Sequence, residues 1–83
     1  IATVAVEGPQ AWPLARDLFR THSGTPLPSQ PPRHRFWFGT LADGDEVVLA
    51  VRETEPEVRV EVHCHGGRRV VRWVVEQFTS RGE

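Results

Sequence analysis

Eighty-three residues suffice for one small domain, and a chain of this size buries only about 60% of the surface its unfolded form exposes. Ten basic and eleven acidic residues leave a net charge of −1, which excludes broad electrostatic binding to nucleic acid or to an anionic membrane. One cysteine excludes an internal disulfide and points to a reducing compartment, the cytoplasm, while no apolar run approaches the ~20 residues that span a bilayer. There is no methionine, even at position 1, so residues 1–83 are expected to be a single domain from a longer protein.

The opening IATVAV is short, β-rich and followed by Glu7-Gly8-Pro9, which reads as a strand entering a turn. From there the spacing becomes helical. Ala11, Leu14, Ala15, Leu18 and Phe19 share one face, opposite Arg16, Asp17 and Arg20. Pro13 fits only in a first turn, so the helix should begin near Gln10 or Ala11, and it is expected to end near Gly24. Residues 23–33, SGTPLPSQPPR, hold four prolines and form a loop of extended or polyproline character.

HRFWFGTL, residues 34–41, is a strand with Phe36 and Phe38 on one side and Trp37 on the other, so a partner is expected over one of those sides. Asp43-Gly44 signals a hairpin. EVVLAVR, residues 46–52, is the returning strand; it is apolar on both faces and should be central in its sheet. EVRVEVHCH, residues 57–65, alternates throughout. Val58, Val60, Val62 and Cys64 point one way, and Glu57, Arg59, Glu61, His63 and His65 the other. After Gly66-Gly67 the apolar residues Val70, Val71, Val74, Val75 and Phe78 recur with helical spacing. The expected fold is α+β, in the order β-α-β-β-β-α, with two helices on a mostly antiparallel sheet.

The chemistry concentrates in EVHCHGG, residues 61–67. Alternation puts Cys64 on the apolar face, where its neighbouring histidines cannot serve as its base, so no catalytic residue is assigned. His63 and His65, with Glu61, could share a metal ion, but a metal site takes about four ligands and a solvated polar face explains the same residues, so no metal is assigned. Gly66-Gly67, followed by Arg68 and Arg69 in the first turn of a helix, could admit an anion or could simply build a tight turn.

These residues carry a resemblance. EVHCHGG is similar to the VEIHCHGG that typically ends the N-terminal domain of the TrmE/MnmE family of tRNA modification GTPases. GPQAWPLARDLFR (8–20), PPR (31–33) with the aromatic strand and DG hairpin after it, and DEVVLAV (45–51) have counterparts in the same order over nearly the whole chain. The resemblance implies a domain like the tetrahydrofolate-binding domains of the glycine-cleavage type. It implies a homodimer, 5-formyl-tetrahydrofolate as cofactor, and GTPase and helical domains elsewhere in the parent protein. It further implies a flavoprotein partner and modification of the wobble uridine of tRNA, with no membrane involved. Glu57, Glu61, His63, His65, Gly66 and Gly67 are the expected cofactor-binding residues, with Glu57 or Glu61 accepting pterin N–H bonds. Two of the chain's departures from the family bear on the pocket: Ala5 stands where an arginine is usual, and the loop replaced by residues 51–57 is shorter. They favour an alternative, an interaction module that has kept the fold and lost the pocket.

Overall fold

The computed structural model describes residues 2–42 and 44–79. Strand β1 (Ala2–Glu7) turns at Gly8-Pro9 into helix α1 (Ala11–Leu18). Gln10 is the N-cap, so Pro13 lies in the first turn, where a missing N–H has no helical acceptor to lose. Ala11, Trp12, Leu14, Ala15 and Leu18 form the buried stripe of this helix.

The helix stops at Leu18, well short of the expected end near Gly24. Phe19 turns extended, at φ −96° and ψ 139°, and Phe19–Thr21 become a short strand, β2. Its partner is β3 (Phe36–Leu41), in antiparallel register with Phe19 opposite Leu41 and Thr21 opposite Gly39. Phe and Thr both favour strands. Gly39 makes the pairing possible, because a Cβ there would collide with the Arg20 carbonyl and the Phe19 ring.

Between β2 and β3 the proline-rich loop sends Leu27 into the core, and the Trp12 indole N–H donates to the Pro28 carbonyl at 3.1 Å. The β3–β4 connection is closed by the Gly44 N–H donating to the Leu41 carbonyl at 2.8 Å. Asp43, half of the expected hairpin signal, lies outside the described residues, as does Ile1 of the opening strand.

Strand β4 (Glu46–Glu53) is central, as its two apolar faces led one to expect: the five-stranded sheet runs β1-β5-β4-β3-β2 and every neighbouring pair is antiparallel. Strand β5 (Arg59–Cys64) is shorter than the alternation from 57 to 65 suggested. The last element, α2 (Arg68–Thr79), is helical despite its valines. Val74 and Phe78 are buried and Val70 and Val71 half-buried, whereas Val75, expected on the same face, is 40% exposed. The α+β class and the order β-α-β-β-β-α are those expected, with β2 added.

Both helices share a single core with one face of the sheet. Val4, Leu41, Val47, Leu49, Val51, Val60, Val62 and Cys64 supply the sheet's side of it. Trp37 packs toward this side, 5.9 Å from Trp12 of α1, and the Arg35 guanidinium lies over its ring. The two faces of β3 are thereby told apart: α1 covers the tryptophan side, and the phenylalanine side is left open.

Candidate binding face of the sheet

Since side chains alternate along a strand, the core on one face fixes what the other presents. The register sets its residues out in rows. Thr3, His63, Val48 and Phe38 lie side by side across four strands, and Ala5, Glu61, Ala50 and Phe36 form the next row. Phe36 and Phe38 are 60% and 58% exposed, and their rings meet edge to face at 5.9 Å. Two large aromatics uncovered side by side on a small domain form an exposed apolar patch outside the core, the kind of surface on which a ligand or partner docks.

The polar half of the face is a connected network. The Thr3 hydroxyl lies 3.0 Å from His63 Nδ1, and His63 Nε2 lies 3.3 Å from Glu61 Oε1. A carboxylate only accepts, so a proton shared in the Nε2–Glu61 contact is carried by Nε2, whereas the donor of the Thr3–Nδ1 bond depends on the state of the imidazole. Arg52 and Arg59 approach the same carboxylate at 3.7 and 3.9 Å. Glu61 is the least exposed member of these ion pairs, at 18% of its side chain, and therefore the anchor of the network.

At the end of the face where β4 begins, a shallow concavity of about 180 Å³ opens over Val48. Phe38 borders it, with His22 and Glu46 on one side and His63 and His65 on the other. His22 Nε2 is 3.4 Å from Glu46 Oε2.

Of the residues expected to bind a cofactor, Glu61, His63 and His65 come together on this face. Glu57 does not join them: it precedes β5 in an exposed bend, because the strand starts only at Arg59. Gly66 and Gly67 lie apart from the face, lining a different surface hollow with Arg68 and Arg72 of α2. Gly66 holds φ +112°, and a Cβ there would run into Val70, so its role is to let the chain turn under the helix. His22, Glu46 and Val48 were not legible as site residues, because only the register brings them to β5. Phe36 and Phe38 were legible as a pair opposite Trp37, though not as neighbours of the histidines.

Cys64 is buried on the core side, opposite His63, with its thiol pushed up by burial and, secondarily, by the charge of Asp45. Among the described residues, no three His, Cys, Asp or Glu side chains are grouped so as to hold a metal ion. Nor is any helix among them long and apolar enough to cross a membrane.

No protein-family model matches the chain. Individual proteins do. It is 37% identical over 93 aligned positions to the tRNA modification GTPase MnmE of Geobacter sulfurreducens, an alignment covering 99% of this chain. The chain is a TrmE/MnmE-type segment. MnmE of Enterococcus faecalis is 32% identical and that of Lachnoclostridium phytofermentans 28%, each again over 99% of the chain. The chain spans about a fifth of the length of these relatives, 19% to 20%. The MnmE-type alignment takes in the strands of the polar network, β1, β4 and β5, and the aromatic strand β3, so the open face falls within the related region.

Proposed function

We propose that this chain is the N-terminal domain of a cytoplasmic MnmE-type tRNA modification GTPase, and that it acts by binding rather than by catalysis. In this reading it joins two copies of the parent protein and holds a reduced folate, 5-formyl-tetrahydrofolate, for modification of the tRNA wobble uridine. The GTPase and helical domains, the flavoprotein partner and the tRNA itself belong to the parent protein. The observation that supports the reading is the open sheet face, where the Glu61–His63–Thr3 network adjoins the uncovered Phe36 and Phe38. A half-buried carboxylate anchor beside exposed aromatic rings suits a planar ligand with N–H donors along its edge.

The test is a calorimetric titration of 5-formyl-tetrahydrofolate into the folded chain, with sedimentation run in parallel. Saturable binding and a concentration-dependent dimer are expected. Absence of heat up to about 1 mM ligand, the millimolar limit of weak binding, would overturn the folate part.

One observation favours a second reading, the interaction module without a pocket. Ala5, which replaces the family's usual arginine, faces Glu61 directly across the β1–β5 pair. The cation missing from β1 is thus missing from the proposed site itself. Dimerisation without folate affinity would establish this alternative.

A further inference from the structure

The outward side of α2 concentrates positive charge. With about 100° between successive residues of a helix, Arg68, Arg69 and Arg72 fall within one stripe, opposite the buried Val74 and Phe78. All three are exposed, and among the described residues none of them meets a carboxylate. Asp45 borders the same hollow as Arg69, and Glu76 lies one turn beyond Arg72, yet neither is in ion-pair contact with them. Set these three aside from the ten basic residues, and seven remain against eleven acidic ones. The net charge of −1 excludes a broad basic surface but conceals a local one.

A helix on its own disfavours this arrangement. The first turn favours carboxylates, and α2 has none there. Arg68 and Arg72 stand at i and i+4, where like charges repel. A bound polyanion supplies the missing counter-charge. The layout also selects among anions. Arg68 and Arg72 border the hollow beside Gly66 and Gly67, whereas Arg69 borders another, with Trp73. The three guanidiniums do not converge on one point, so a single small anion cannot meet them all, and a row of phosphates can. Guanidinium forks match phosphate oxygens in pairs.

We propose that the Arg68–Arg69–Arg72 stripe is a contact surface for the phosphodiester backbone of RNA. It lies on the helical side of the sheet, away from the open face. The proposal rests on the tRNA reading and names where this domain touches that RNA. Such contacts position an RNA without reading its sequence, and they weaken as salt rises.

The experiment is fluorescence anisotropy of a labelled RNA stem-loop titrated with the chain over about 50–200 mM salt. The variants are Arg68→Gln, Arg69→Gln, Arg72→Gln and the triple substitution. The three side chains are exposed, so the variants are expected to fold, as far-ultraviolet circular dichroism verifies. For wild type, the logarithm of the binding constant should fall against the logarithm of salt with a slope of about −2 to −3, one counterion released per arginine. Each single variant should make that slope shallower by about one, and the triple variant should weaken binding at least about tenfold at the lowest salt. Arg33→Gln, which removes an arginine already paired with Glu53, should change neither. Inorganic phosphate, matched to the RNA in total phosphate, should not compete. A wild-type chain that binds no RNA, or a folded triple variant that binds it as well as wild type, would overturn the proposal. Competition by inorganic phosphate would do so too, by showing a small-anion site. None of these outcomes touches the tRNA reading, since the parent protein's other domains can hold the tRNA. That reading is tested apart, by wobble-uridine modification in cells lacking the parent gene: normal modification there would sink the reading and this assignment with it.

Discussion

Glu61 stands opposite Ala5 in the antiparallel register of β1 with β5, yet its carboxylate is met from elsewhere, by Arg52, Arg59 and His63. The charge is balanced from β4 and from its own strand, and the β1 side offers it only a methyl group. Each of its arginine partners is about half exposed, so each pair contributes little to folding. Glu61→Gln should therefore keep the fold and change stability by no more than about 1 kcal/mol, read by urea denaturation. The same substitution should weaken 5-formyl-tetrahydrofolate, since it releases His63 from its carboxylate partner. A loss of about 3 kcal/mol or more would show Glu61 to be a structural ion instead.

The next residue on β5 tests the opposite face. Val62 is fully buried between β1 and β4, in register with Val4 and Leu49. An aspartate there has no partner and would have to be buried as a charge or forced neutral. Domains have only about 5–15 kcal/mol in hand, and one this small sits toward the lower end. Val62→Asp should leave the chain unfolded at neutral pH, seen as loss of dispersed amide proton resonances. A folded Val62→Asp would mean that the two faces of β5 are exchanged.

That contrast between neighbouring residues is the part of the molecule the sequence states most clearly. Strict alternation in β5 needs no tertiary information to divide Val60, Val62 and Cys64 from Arg59, Glu61 and His63, because a strand turns each successive side chain through half a revolution. The central place of β4 was legible from its apolar residues, since a strand apolar on both faces belongs among paired neighbours rather than at a solvated edge. What alternation cannot convey is where a strand begins. Glu57 continues the pattern, but the chain bends before Arg59, and Glu57 is left in solvent. Nor could the end of α1 be read locally. Phe19 fits the helical stripe, and it leaves the helix only because β3 offers an edge and Gly39 leaves room to reach it. The site suffered most, because His22, Glu46 and Val48 become neighbours of His63 only through the sheet register.

The two glycines of the HCHGG run look alike in sequence and differ in structure. Gly66 holds φ +112° with Val70 where a Cβ would go; Gly67 has open space there. Gly66→Ala should cost about 2–4 kcal/mol, combining left-handed strain with a collision against α2. Gly67→Ala should cost no more than about 1 kcal/mol, the penalty for alanine in place of glycine just before a helix. Thermal or urea unfolding of the two variants measures the difference. Equal costs would indicate that the pair acts as a flexible unit rather than as one constrained turn residue and one cap.

Cys64 supplies a pH signature for the core. Burial above all, with Asp45 adding to it, holds the thiol above its ordinary value of 9.0 in the folded chain. The unfolded chain therefore gives up this proton first as pH rises. Below pH 9.0 both states keep the proton and stability is unaffected; above it, unfolding gains from ionisation and stability falls. Wild type should lose more stability between pH 8 and pH 10 than Cys64→Ala does, with urea midpoints compared at both values. At pH 8 the native thiol should react with a disulfide reagent only as fast as the domain opens, and at the full rate in denaturant. Rapid reaction in the native state would place Cys64 at the surface and, with it, put His63 and Glu61 into the core.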